Sequence, residues 1–177
     1  MQLQVSENTI LRTWGDEDAP TLFALVNKNR QMLQPWLPWV PAVTEVKDSQ
    51  KFIQDSSSDP HSERGLELGI WYHNKLAGCL GLHEISKTHN RTSLGYWLGE
   101  EYQGKGIMTN SVKTLTHFCF EELTLNRIEI RAAVKNIASQ KVAKRLGFRF
   151  EGTLREVELI DGQYLDQNVY SKIRKDV

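Results

Sequence analysis

The sequence predicts a mixed α/β fold of the α+β type, a mostly antiparallel sheet flanked by helices. Three observations carry this. Two helical segments come early, three alternating strands follow them, and a glycine-rich turn then opens an amphipathic helix before strands return.

Thr9 to Trp14 alternates briefly and predicts a first strand, and Gly15-Asp16-Glu17-Asp18-Ala19-Pro20 supplies capping residues for a helix reaching about Lys28. A second helix is expected from Thr44, as N-cap, to about Asp55. Between them Gln34 to Pro41 holds three prolines and reads as a loop. Leu66, Leu68, Ile70 and Tyr72 alternate with Glu67, Gly69 and Trp71, and His73-Asn74 turns the chain into a second apolar run from Leu76 to Ile85. Thr92 to Gly99 follows as a third strand.

Beyond the glycine turn, Met108, Val112, Leu115, Cys119 and Leu123 mark one face of a helix. Arg127 to Val134 alternates as a strand, and Ala138 to Leu146 is a short helix stopped by Gly147. Phe148 onward is strand, and Asp161-Gly162 turns it into Tyr164 to Ile173.

The length of 177 residues and 40% hydrophobic content fit a single domain spanning residues 1–177, with a core that needs neither disulfides nor metal. Formal charge is zero, which gives no global pull toward nucleic acid. Basic residues lean toward the second half, as an anionic ligand there would favour. Cys79 and Cys119 lack CxxC spacing and read as small buried hydrophobes. The five histidines offer no ligand spacing, so no metal is expected, and His83-Glu84 reads as a structural pair at a strand end. With no apolar run long enough for a signal peptide or a membrane span, a cytoplasmic protein is expected.

Gly99 to Gly106 approaches the G-x-x-x-x-G-K-[ST] phosphate loop but ends in Gly106, without the hydroxyl that would hold Mg²⁺. Gly104-Lys105-Gly106-Ile107-Met108-Thr109 likewise fails the dinucleotide pattern at its last position. What remains is strand, two-glycine turn and helix. Backbone N–H groups can converge there on an anion, and the helix N-terminus adds its dipole.

Gln103-Gly104-Lys105-Gly106-Ile107-Met108 resembles the Q/R-x-x-G-x-G/A acyl-CoA signature of the GNAT N-acetyltransferases. Gly95-Tyr96-Trp97-Leu98, Asn126 to Ile130, Asn136-Ile137-Ala138-Ser139, Arg145-Leu146-Gly147-Phe148 and Glu151-Gly152 follow in the order of the branch that contains the bacterial ribosomal-protein alanine/serine N-acetyltransferases. Leu33 to Trp39 is similar to that branch's early loop.

The resemblance implies a splayed sheet. Backbone groups of Trp97 and Leu98 would pair with the pantetheine arm of acetyl-CoA. Gln103, Gly104, Lys105, Gly106, Ile107 and Met108 would hold its pyrophosphate, and Asn136 would also belong to the cofactor site. Ala143 stands where many members carry a tyrosine donor, so the resemblance moves thiolate protonation to Ser139, which can equally cap the short helix. Glu158, on an alternating strand with Glu156, resembles the branch's candidate base and can equally bind the cationic amine. Trp36 and Trp39 either line the acceptor groove or fasten the loop to the core.

The implied activity is acetyl transfer to a primary amine, foremost the N-terminal amine of a ribosomal or other protein, with a polyamine or aminoglycoside as the small-amine alternative. A non-catalytic acyl-CoA sensor is the alternative of another class. Pairing of two copies is possible through the sheet or the C-terminal hairpin.

Overall fold

The computed structural model describes residues 1–56, 58–62 and 65–176. Eight strands form one sheet in the order β1-β2-β3-β4-β5-β6-β8-β7. They are β1 (Gln2–Ser6), β2 (Thr9–Thr13), β3 (Leu66–Tyr72), β4 (Lys75–Ser86), β5 (Arg91–Leu98), β6 (Arg127–Ala133), β7 (Arg149–Ile160) and β8 (Gln163–Ile173). The helices are α1 (Ala19–Lys28), α2 (Arg30–Leu33), α3 (Val46–Asp55), α4 (Ile107–Glu121) and α5 (Ile137–Arg145). Every strand pair is antiparallel except β5 with β6. That parallel pair is joined through α4, since parallel neighbours need a crossover.

Alternation along β3 buries Leu66, Leu68 and Ile70 completely and turns Glu67 and Gly69 to the other face. Four of the five residues of the predicted α4 face, Met108, Val112, Leu115 and Cys119, are buried in the helix, whereas Leu123 lies past its end and is half-buried. Both cysteines are free and buried. The Cys119 thiol is pushed up to about 12 by desolvation, and burial followed by the charge of Glu67 drives Cys79 up as well.

The end of α5 closes as a Schellman motif. Gly147, at φ +75, donates to the Lys144 carbonyl at 3.1 Å and Phe148 donates to Ala143 at 3.0 Å.

Three expectations are corrected. Gln2–Ser6 is a strand paired with β2, so the strand expected as the first, at Thr9, is the second. Helix α3 begins at Val46 with Glu45 as its cap residue. Thr44 is not the cap, because Asp48 reaches back to accept from the Thr44 and Glu45 amides at 2.8 and 2.9 Å. The alternation of β7 breaks at Glu156, which sits at φ +51 inside a register shift between Leu154 and Glu158. Glu156 and Glu158 are therefore not simple neighbours on one face.

No helix among the described residues is long and apolar enough to cross a membrane.

Candidate active site

Strands β5 and β6 pair only from Arg91↔Arg127 to Leu94↔Ile130. Past Leu94 the two strands part, while β5 keeps its pairing with β4 up to Leu98 and β6 keeps its pairing with β8 up to Ala133. Two free backbone edges thus face each other across a wedge. The cavity there, about 640 Å³, is lined by Gly95 to Leu98 on one side and Arg131 to Ala133 on the other.

Which residues offer their backbone to the wedge follows from strand alternation. The Gly99 amide donates to Ala77 of the β4 side at 2.8 Å, and the Trp97 carbonyl lies against Gly78. Trp97 therefore spends its backbone groups on β4, and Tyr96 and Leu98 point theirs into the opening. Of the two residues expected to offer backbone groups to a ligand, Leu98 faces the opening and Trp97 faces β4, and the adjacent Tyr96 also faces the opening.

At the end of β5, a 3₁₀ turn over Glu100–Tyr102 leads into Gln103 and the two glycines. Gly104 and Gly106 sit at φ +74 and +75, the region side chains disfavour, and Gly106 is the residue from which α4 starts. The first intrahelical bond is Asn110 N–H to the Gly106 carbonyl. Among the described residues no acceptor of the protein takes the amides of Gly104 to Thr109, so they remain open at a helix N-terminus. A Cβ added at Gly104 would meet nothing within 4 Å. Ile107 and Met108 anchor this cradle by burying their side chains. Lys105 keeps its ammonium 5.9 Å above the rings of Tyr72 and Tyr102. The Gln103 side chain turns back and donates to the Leu98 carbonyl at 3.3 Å, closing the foot of the wedge.

The opposite bank is α5. Asn136 is its cap, accepting from the Ser139 amide at 3.1 Å, so the Ser139 hydroxyl is left out of the cap. Tyr96 donates its phenol to the Ser139 carbonyl at 2.9 Å, and burial raises that phenol's pKa. Beneath, Gln140 donates to the Ala133 and Val134 carbonyls at 3.1 and 2.7 Å and accepts from Asn168 and Tyr170, which fixes the start of α5 on the sheet. Glu158 accepts from Gln167 at 2.7 Å and shares the wedge cavity with Asn136 and Ser139.

A second cavity of about 600 Å³ adjoins the first and is mainly apolar, with Leu22, Val26, Leu37, Trp39 and Phe52 in its wall. Tyr96, Trp97 and His83 line both. Trp39 sits against Trp97, ring centroids 6.2 Å apart, whereas Trp36 lines the wedge cavity and not this one.

Open amides at a helix start, next to an unpaired sheet edge, fit a long ligand with a diphosphate at one end and amide groups along its arm, as in acetyl-CoA. The sequence matches agree. Residues 8–149 match the acetyltransferase (GNAT) domain. The chain belongs to the GNAT acetyltransferase family.

The ribosomal-protein-serine acetyltransferase of Escherichia coli (strain K12) is 30% identical over 97% of this chain and 96% of its own length. The structure of RimL, a ribosomal L7/L12 alpha-N-protein acetyltransferase in complex with coenzyme A, superposes with a TM-score of 0.93. It is 32% identical, and 98% of each chain is covered. The microcin C7 self-immunity acetyltransferase MccE, in complex with acetyl-CoA and AMP, gives a TM-score of 0.92 at 33% identity, covering 97% of this chain and 95% of that one. As a GNAT enzyme this chain is an N-acetyltransferase that uses acetyl-CoA, and no cluster of metal-binding side chains occurs among the described residues.

Sequence reasoning missed Glu67 and the side-chain role of Tyr96. Glu67 is polar within an apolar strand, a signal that was available, but its partner lies 16 positions on and only register brings them together.

Proposed function

We propose that this GNAT enzyme acetylates the N-terminal amine of a protein, with a ribosomal protein as the foremost acceptor. The observation that carries the reading is the meeting of two cavities at Tyr96, Trp97 and His83: a wedge suited to the acyl donor, and an apolar chamber that can take the first side chains of an acceptor peptide. The names of the ribosomal-protein acetyltransferases at similar length and identity support the choice of acceptor.

Acetyl-CoA supplies an acyl group already activated as a thioester. The open amides from Gly104 to Met108 hold its diphosphate, and the edge groups of Tyr96 and Leu98 hold its arm as an added strand. Asn136 and Tyr96 fix the main chain at Ser139, whose hydroxyl gives a proton to the departing sulfur. Glu158, oriented by Gln167, draws the cationic amine toward the wedge. The Trp39–Trp97 pair covers the passage between the cavities and excludes water from it. In this reading residues 1–177 act as one catalytic domain in the cytoplasm.

Thiol release from acetyl-CoA against a panel of N-terminal peptides, polyamines and aminoglycosides tests the proposal. Peptide-dependent release supports it. Release with polyamines or aminoglycosides alone replaces the acceptor, and tight CoA binding with no release from any amine rejects it.

A further inference from the structure

Glu67 and His83 form a polar centre on the floor of the apolar chamber. The register places Glu67 opposite Gly81 and Gly81 opposite Gly95, across three neighbouring strands. A Cβ on Gly81 would lie 2.4 Å from the Glu67 carboxylate, and one on Gly95 would lie 2.5 Å from His83 Nε2. The carboxylate and the imidazole therefore lie over two glycines, in space that a side chain at either position would fill.

Glu67 Oε1 is 3.4 Å from His83 Nδ1, and Oε2 accepts from the Cys79 thiol at 3.3 Å. The Glu67 side chain is 19% exposed and that of His83 46%, so the pair has a buried anchor and an open end. Burial raises the Glu67 carboxyl, opposed by His83 and by the Cys79 hydrogen bond.

Position decides what the pair can do. With Nδ1 turned to Glu67, Nε2 lies over Gly95, the first β5 residue past the last rung shared with β6. The wedge opens at that point. His83 borders both cavities, Glu67 only the chamber, and Ser139 and Glu158 only the wedge. Other ionisable groups border these spaces: Asp48, Lys51 and Asp55 of α3 on the chamber side, and Arg131 and Lys135 on the wedge side. Cys79 stands behind Glu67, and Glu84 is 3.9 Å from Arg131. Of all these, imidazole is the group suited to accept a proton near neutral pH.

We infer that His83 Nε2 is the proton acceptor for the incoming amine and that Glu67 is the positioning residue that holds its ring, which rests on the acetyltransfer function proposed above. The acceptor enters as an ammonium and passes one proton to Nε2, which returns it to solvent at the exposed edge. The freed nitrogen lone pair forms the C–N bond as the C–S bond breaks. The nitrogen then gives up a second proton and the departing sulfur gains one, so the products are amide, thiol and one proton. Glu158 keeps the task of attracting the cation.

The test is thiol release from acetyl-CoA with an N-terminal peptide, measured across the neutral to alkaline range for the wild-type chain, His83→Gln, His83→Ala with added imidazole, and Glu67→Gln, with CoA affinity and melting temperature recorded for each. His83→Gln is expected to lower kcat/KM about 100-fold near neutrality, the loss shrinking above about pH 8, where an α-amine is deprotonated without help. CoA affinity stays unchanged, imidazole restores part of the His83→Ala activity, and Glu67→Gln loses about 10-fold in the same pH-dependent way. A His83→Gln enzyme within twofold of wild type at every pH overturns the inference, as does a pH-independent loss that imidazole does not relieve. A wild-type chain that releases no thiol with any amine overturns the proposed function itself, an outcome distinct from an active wild type indifferent to His83.

Discussion

Tyr96 of β5 donates its phenolic hydrogen to the backbone carbonyl of Ser139 in α5, 2.9 Å away, bridging the two banks of the wedge. Strand and helix are held at a fixed spacing there by one bond, and the serine rides on it.

Tyr96→Phe removes this bridge while keeping the ring. A part-buried hydrogen bond of this kind contributes about 1 kcal/mol, so the melting temperature is expected to fall by a few degrees. The larger effect is expected in turnover, through displacement of Ser139. Calorimetry and steady-state kinetics together separate the two.

Ser139→Ala is expected to lower kcat roughly 10- to 100-fold and leave CoA affinity unchanged, as loss of a proton donor does. Asn136→Ala is expected to act differently. It removes the cap and costs about 1 kcal/mol of stability. Equal loss of CoA binding in the Ser139 variant would assign that serine to the scaffold.

Gly106→Val places a β-branched residue at φ +75, where strain of about 1–3 kcal/mol is expected. Its side chain would also stand beside the open amides of the cradle. CoA affinity, read by calorimetric titration, is expected to fall at least 100-fold, whereas Gly162→Val in the β7–β8 turn shares the positive φ and should lose stability but not CoA.

How much of this was legible beforehand differs by scale. The cradle was legible because two glycines between a strand and an amphipathic helix state a local geometry. Helix α4 was legible because its buried face repeats in sequence. The Glu67–His83 contact was not, because strand register is a non-local quantity: only the pairing of Glu67 with Gly81 and of Gly81 with Gly95 brings the two side chains together. Glu158 shows the same limit from another cause. Its strand alternates in sequence, but the bulge at Glu156 resets the phase, and only the Gln167 contact shows where the carboxylate goes.

An acid-sensitive element lies on the far side of β6. Arg127 grips Glu151 through two hydrogen bonds of 2.7 and 2.5 Å, Ser171 adds a third at 2.6 Å, and these hold the Glu151 carboxyl down at about 2. A carboxyl depressed in the folded state stabilises above its unfolded pKa of about 4.3, and that stabilisation is lost as pH falls toward 2. Glu151→Gln is expected to cost roughly 1 kcal/mol at neutral pH, a figure reduced for the partial exposure of the pair. The gap in melting temperature between variant and wild type should close as pH is lowered from about 5 to about 2.

Among the described residues the block β1 to β5 and the block β6 to β8 pair as strands only through the four rungs between Arg91–Leu94 and Arg127–Ile130, with the Asn90 carbonyl accepting from the Asn126 and Arg127 amides beside them. Each block is internally antiparallel, so each can keep most of its own pairing if that seam loosens. Amide-exchange protection should therefore fall into two classes, with β6, β8 and β7 opening as one cooperative unit separately from the larger block. Donor binding, by adding backbone pairing along both sides of the seam, should merge the two classes into one. Occupancy would then set how many independent pieces the molecule unfolds in.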